Sequence, residues 1–322
     1  MTISTTEKTA LVIGATGSVG GAIATALSSR GWRIRGLNRD PIGAVNRIQG
    51  MAIEWVAGDA MISGDVVRAA DGVSLVVHAA NPPGYKNWKG LVLPMLESSI
   101  AGAKCAGARL ILPGTVYNYG ADAGDEVAED APQNPATRKG AIRVAMERRL
   151  KDSGVKALIV RAGDFFAPSA VANNWFAQGL ITPGKPLTSI TDPGAPGIGH
   201  QWAYLPDLGE TFARLIERES ELDNFARFHF GGHWLSPGVE MAESIRRVAD
   251  KPELKIKRLP WFALRLIAPF NETMREMMEM RYLWQRSLRL KNDKLVAFLG
   301  SEPHTPLDDA VRAALKGLKV GF

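Results

Sequence analysis

The sequence predicts an α/β protein built on a doubly wound parallel sheet, with a smaller C-terminal lobe. Three observations carry this reading. Short apolar runs alternate with helical patterns through the first half of the chain, as strand–helix–strand units do. A turn with glycines at 14, 17 and 20 joins the first apolar run to the first helical stretch. After Arg161 the alternation loosens into proline- and glycine-rich segments, which suits an appended lobe. A chain of 322 residues can hold one large domain with such a lobe, or two domains. The expected division is a ligand-binding sheet domain over 1–163 and a lobe formed mainly by 164–322, with segments near 200–230 returning to the sheet.

In chain order, the expected strands are 10–13, 33–37, 53–57, 75–77, 109–112 and 157–160. Crossover helices fill the gaps between them. The best formed of these is 141–151, with Ile142, Ala145, Met146 and Leu150 on one face. Residues 182–200 contain four prolines and four glycines and read as a long mobile loop. A late strand is expected at 228–230. Asn271 is placed to cap a helix lined by Met274, Met277, Met278 and Leu283, a stripe better suited to a core than to a binding surface.

Composition narrows the function classes. Hydrophobic residues make up 46% and charged residues 22%, ordinary for a globular protein with a large core. The single cysteine, Cys105, excludes an internal disulfide and fits a reducing compartment; its small-residue surroundings point to buried packing. No signal-peptide pattern opens the chain, and the apolar run 259–270, interrupted by Arg265, is too short to span a bilayer. A cytoplasmic protein without a membrane partner is therefore expected. The net charge of +6 is concentrated late: from Arg246 to Lys291 there are 12 Lys/Arg against 5 Asp/Glu. No nucleic-acid-binding motif accompanies this basic stretch. It reads as a solvated face or as an attraction for an anionic small-molecule substrate; a homodimer remains open.

The chemistry starts at Gly14-Ala15-Thr16-Gly17-Ser18-Val19-Gly20. Gly14 allows the tight turn, Gly17 lets phosphates approach the chain, and Gly20 lets the helix lie close to the strand. Bare amides at a helix N-terminus, with the helix dipole behind them, cradle a pyrophosphate. At the tip of the second strand Asn38 is neutral, and Arg39 offers a fork of donors suited to a ribose 2′-phosphate. Asp40 should point elsewhere. The cofactor expected is NADP, with NAD possible.

With these residues the chain resembles the extended short-chain dehydrogenase/reductase superfamily, in particular its NAD-dependent epimerase/dehydratase-like branch and atypical relatives. Residues 14–20 match the family's cofactor turn. By the same resemblance, Asp59 in Gly58-Asp59 would touch adenine, and Ala79 and Ala80 after His78 would wall the central riboses. Thr115-Val116-Tyr117-Asn118-Tyr119-Gly120 is similar to the family's Ser/Thr-x-x-x-Tyr-Gly block, which places Thr115 at the catalytic serine or threonine. Residues 161–168 resemble the segment that opens the substrate lobe, and 202–208 the element that packs the lobe on the sheet.

One departure matters more than these matches. The family carries Tyr-x-x-x-Lys on the helix after the fifth strand, with a glutamate four residues past the lysine. Anchoring on Glu147 puts Lys139 at the tyrosine and Arg143 at the lysine. The spacing of four keeps both on one helical face. Arg143 can still bind the nicotinamide ribose, but Lys139 serves as an acid or base only if burial and Arg143 depress its pKa. The expected catalytic set is Thr115, Lys139, Arg143 and a displaced tyrosine, foremost Tyr117, with Tyr119 and Tyr85 also in reach. The resemblance implies an NAD(P)-dependent oxidoreductase or epimerase acting on a carbonyl or hydroxyl of a small-molecule or nucleotide-sugar substrate. The altered pair leaves open a non-catalytic NADP-binding redox sensor or a scaffold with a vestigial site. No histidine cluster has metal-ligand spacing, and no metal is expected. His200 and the stretch Asn173-Asn174-Trp175-Phe176 are weaker substrate-contact candidates.

Overall fold

Strands whose two faces are both apolar set the centre of the molecule. In the computed structural model, which describes residues 8–48, 50–82, 88–169 and 174–321, seven parallel strands form one sheet. These are β1 (Thr9–Ile13), β2 (Arg33–Asn38), β3 (Ile53–Ala57), β4 (Leu75–His78), β5 (Arg109–Thr115), β7 (Ala157–Ala162) and β11 (Phe225–His229), in the order β11-β7-β5-β4-β1-β2-β3. Side chains alternate across the sheet. Ala10, Val12, Leu75, Val77, Leu158 and Val160 pack beneath α1 (Ser18–Ser28) and α6 (Leu205–Glu217). Leu11, Ile13, Val76, Leu110 and Ile159 face α3 (Ser63–Ala69), α4 (Trp88–Ala106) and α5 (Arg138–Ser153). The remaining crossover helix is α2 (Pro41–Arg47), and β6 (Glu126–Val127) lies between β5 and α5. This is the doubly wound, Rossmann-type sheet expected from the alternation. Strand order reverses between β1 and β4, which opens a crevice at their C-terminal ends, the usual ligand position in such sheets.

A second apolar core, including Phe166, Phe176, Trp202, Met241, Ile245 and Leu315, supports the C-terminal lobe. It joins β8 (Asp164–Phe166), β9 (Ser189–Asp192), β10 (His200–Tyr204), β12 (His233–Leu235), α7 (Glu240–Ala249), β13 (Lys255–Arg258), α8 (Trp261–Ile267) and α11 (Leu307–Gly317). β10 pairs with β8 and β12, and β9 pairs with β13. A smaller cluster of Val116, Tyr119, Val127, Met280, Leu283, Leu288 and Leu290 ties α9 (Glu272–Met280) and β14 (Arg289–Leu290) to the strand-five segment. α10 (Asp293–Leu299) packs on the β11 edge through Phe298 and Phe228.

Several expectations shift. Residues 182–200 are not all loop, because Ser189–Asp192 forms β9 against Lys255–Arg258, a partner more than sixty residues away that local composition cannot reveal. The late strand is Phe225–His229 instead of 228–230, set by parallel pairing of Phe225 with Ala157. Cys105 is exposed: it follows buried Ala103 by two helical positions, about 200° round the helix. Asn271 does cap α9, its side chain accepting from the Met274 amide at 3.1 Å. Leu283 is buried, while the methionines at 274, 277 and 278 are half-buried. Among the described residues, no helix is long and apolar enough to cross a membrane.

Candidate cofactor and active site

The glycine turn is dictated by backbone contacts. Gly14 has φ +94°, and a Cβ there would lie 2.6 Å from the Ala79 carbonyl. At Gly20 a Cβ would lie 2.3 Å from the Gly14 carbonyl oxygen. Both positions therefore need glycine: one for its dihedral and the approach of the chain after β4, the other for the seating of α1 on β1. The Gly17 amide donates to Gly14 O at 2.9 Å and closes the turn. Gly17 is the N-cap of α1 and brings no side-chain cap, and the helix's first turn carries no acidic residue. Thr16, Ser18 and Val19 lie on this turn and the first turn of α1, and the segment fits a pyrophosphate. Ala79 donates its amide to Ile13 O at 2.9 Å, so the His78-Ala79-Ala80 segment forms the opposite wall of the crevice.

At the tip of β2 the side chains divide their work. Asp40 caps α2 by accepting from the Gly43 amide at 2.9 Å, and Asn38 accepts from the Asp40 amide at 2.9 Å. Asp40 is thus engaged in the cap of α2. Arg39 is exposed. Asp59 accepts from the Met61 amide, while its own amide donates to Asp65, so its side chain shapes the turn after β3.

On the other side of the crevice, β5 ends at Thr115, which is buried and whose Oγ1 has no hydrogen-bond partner among the described residues. The next residues, Val116–Asn118, form a 3-10 turn. The first turn of α5 lies directly against it: a Cβ on Gly140 would lie 2.2 Å from Tyr117 O. Thr137 caps α5 by accepting from the Gly140 amide at 3.0 Å. This places Lys139 in the first turn of α5 beside the strand-five segment, where it is 4% exposed. Trp88, at the start of α4, receives both cations of the altered pair. Lys139 Nζ is 5.8 Å and Arg143 Cζ 5.1 Å from its ring centroid, within cation–π range. Trp88 was not foreseen from sequence; its one signal was an aromatic opening the helix after the fourth strand. Arg143 is also close enough to His78 for its charge to act there. Burial, then that charge, pushes His78 down to about 3, which keeps the ring neutral.

Glu147, the register anchor in the sequence, is the centre of a buried polar network. Arg161 binds it bidentately, Nε to Oε1 at 2.8 Å and Nη2 to Oε2 at 2.6 Å. Asn118 Nδ2 donates to Oε1 at 2.8 Å, and Gln133 Nε2 to Oε2 at 3.3 Å. β7, the strand-five turn and α5 are thereby fixed to one another. Burial alone would lower the Arg161 pKa, but the hydrogen bonds and charge of Glu147 outweigh it and hold the guanidinium above its ordinary value.

Tyr119 belongs to this network and not to the reacting face. It is fully buried, its hydroxyl lies 2.9 Å from His229 Nε2 and accepts from Arg161, and burial pushes it up to about 12. It is a structural residue, which corrects its place among the displaced-tyrosine candidates. Tyr117 stays half-buried, its hydroxyl 3.5 Å from Asp164 Oδ1. His200 is held on both ring nitrogens, Nε2 2.9 Å from Asp164 and Nδ1 3.2 Å from Leu283 O, and stacks on Trp284 at 3.7 Å. These contacts tie β10 to β8 and to the segment after α9 within the lobe. Tyr85 and Asn173 lie outside the described residues. No cluster of metal-ligating side chains occurs among the described residues.

A family model described as NAD(P)H-binding matches residues 14–177. No curated protein matches the chain by sequence. Among solved structures, the Bordetella bronchiseptica enzyme WbmH in complex with NAD+ is similar with a TM-score of 0.71 at 19% identity, over 97% of this chain and 98% of that one. UDP-glucuronic acid 4-epimerase from Bacillus cereus in complex with NAD gives 0.71 at 15% identity, over 97% and 98%. UDP-glucose 4-epimerase from Bifidobacterium longum in complex with NAD+ and UDP gives 0.70 at 15%, over 96% and 98%. At these identities the likeness shows a shared fold, in agreement with the resemblance carried by the motifs.

Proposed function

The chain belongs to the NAD(P)H-binding family, and from that premise we propose that it is an NADP-dependent oxidoreductase of the short-chain dehydrogenase/reductase type. Its substrate is a small molecule bearing a carbonyl or hydroxyl, and Lys139 stands where relatives use tyrosine. The observation that carries this reading is the pairing of two features on one sheet edge, two strands apart. One is the bare glycine cradle after β1; the other is the Thr115 hydroxyl at the end of β5, buried with no partner among the described residues. A buried hydroxyl left unpaired costs about 1–3 kcal/mol, which a substrate oxygen would recover.

When bound, the nicotinamide gives or takes a hydride. The chain's own residues do the rest. The amides of 14–20 hold the pyrophosphate, and Arg39 binds the adenosine 2′-phosphate. Asp59 lies toward adenine, and Ala79 and Ala80 line the ribose wall. Arg143 binds the nicotinamide ribose, Thr115 holds the substrate oxygen, and Lys139 moves the proton at that oxygen, with Tyr117 beside it. A preference for NADPH suits net reduction better than an epimerisation that recycles its cofactor. A nucleotide-sugar substrate is the principal alternative, because two of the solved relatives are UDP-sugar 4-epimerases.

The Lys139/Arg143 pair in place of the family's tyrosine and lysine supports a second reading, a non-catalytic NADP-binding sensor. One experiment separates the two. Wild type and Lys139→Ala are titrated with NADPH and then assayed against carbonyl compounds and nucleotide sugars. Proton transfer through Lys139 predicts similar NADPH affinity in both and turnover lower by about 10²–10⁴ in the variant. Equal turnover would remove Lys139 from the chemistry. Tight binding by wild type without turnover across the panel would favour the sensor.

A further inference from the structure

Helix α8 and the 3-10 turn Ala268–Phe270 that follows it are apolar on both faces. Facing inward, Trp261 donates its indole N–H to Pro193 O at 2.8 Å and lies 6.0 Å from the Trp175 ring, with Ala268 buried beside it. Facing outward, Phe262, Leu266 and Phe270 recur every fourth residue at 76%, 62% and 91% exposure, with Ile267 next to them. A surface helix whose free face met only water would carry polar residues there. A contiguous apolar face of this kind marks an interaction site.

The segment from β13 through α8 is basic: residues 251–271 hold five Lys/Arg against Glu253, and the acidic residues Glu272, Glu276 and Glu279 follow on α9, with Glu279 paired to Arg138. Several other cations of the basic stretch have acidic partners: Arg246 with Glu243, Arg247 with Glu240 and Asp308, Arg289 with Glu126, Lys291 with Asp293. Arg258 is paired with Asp192 at 2.6 Å. Lys255, Lys257 and Arg265 are exposed and make no ion pair among the described residues. Lys255 and Lys257 share one face of β13, immediately before α8.

We propose that the outer face of α8 docks on an anionic lipid surface. Phe262, Leu266 and Phe270 enter the apolar boundary, and Lys255, Lys257 and Arg265 meet the lipid phosphates. The run is too short to cross a bilayer, so the helix lies in the interface plane, as basic amphipathic helices do. This qualifies the expectation of no membrane partner: the apolar run excludes spanning, not surface binding. A second copy of the chain fits less well, because an isologous contact would set this cation cluster against itself.

The test is co-sedimentation of the full chain with phosphatidylcholine vesicles, with and without about one third phosphatidylglycerol. The proposal predicts binding to the anionic vesicles that weakens with salt, and binding to neutral vesicles at least about tenfold weaker. A triple Phe262→Ser, Leu266→Ser, Phe270→Ser variant should keep the wild-type circular dichroism and lose about tenfold or more in binding. A Lys257→Glu, Arg265→Glu variant should lose the preference for anionic vesicles. Failure to bind the anionic vesicles would overturn the proposal, as would unchanged binding by the triple variant. A wild-type dimer in sedimentation velocity that the triple variant breaks, without vesicle binding, would assign the face to a second copy and overturn it equally.

Discussion

Arg161→Met is expected to destabilise the protein by about 3–5 kcal/mol, a large share of the stability of an ordinary domain. The reason is what remains behind. Arg161 is fully buried and binds both oxygens of Glu147. Without it the carboxylate stays in the interior with Asn118 and Gln133 as hydrogen-bond donors and Arg227, 4.0 Å away, as a distant cation, and the Tyr119 hydroxyl loses its charged partner. A replacement of both ends by apolar groups would cost less, since the penalty is the poorly compensated buried charge and not the loss of a favourable bond. The contrast is Arg149→Met. Arg149 pairs with Glu97 at the surface, where both side chains are nearly half exposed, and the change should stay within about 0.5 kcal/mol. Urea unfolding of the two variants decides it; equal midpoints would mean that the network around Glu147 does not stabilise the fold.

Gly20→Ala should abolish tight nicotinamide-nucleotide binding. Alanine in a helix is favoured over glycine by about 1 kcal/mol, so propensity alone predicts a small gain. Contact decides the sign: the new methyl would stand 2.3 Å from Gly14 O and 2.8 Å from Gly14 C, both backbone atoms. Because those atoms cannot rotate away, α1 has to lift off β1 and carry its N-terminal amides out of the crevice. A loss of at least about tenfold in affinity is expected, with about 1–3 kcal/mol of destabilisation. Gly64→Ala in α3 is the control, since a Cβ there meets nothing within 4 Å; it should bind as wild type does. Calorimetric titration of both reads the difference.

These cases show why parts of the molecule were legible before the structure and others were not. The glycine turn announces itself because each glycine answers a local backbone demand, met within seven residues and one neighbouring strand. That Lys139 and Arg143 share a helical face was readable for a similar reason: residues four apart lie about one turn apart. Trp88 was not readable, since its contact with Lys139 and Arg143 depends on how α4 and α5 pack. The same holds for Tyr119, which shares a six-residue block with Thr115 yet turns inward to Arg161 and His229. β9 exists only because β13 lies beside it, and Cys105 is exposed because of the face of α4 it occupies. Motifs whose cause is local could be read from the chain, whereas features created by distant packing could not.

The central claim is that the crevice after β1 holds a nicotinamide nucleotide and prefers the one with a 2′-phosphate. Fluorescence titration of the wild-type protein with NADPH and with NADH, repeated on Arg39→Ala, tests it most directly. A charge-assisted contact from Arg39 predicts tighter binding of NADPH by about tenfold or more, with the advantage lost in the variant and NADH affinity unchanged. Binding of neither nucleotide, or a wild-type preference for NADH, would contradict the account.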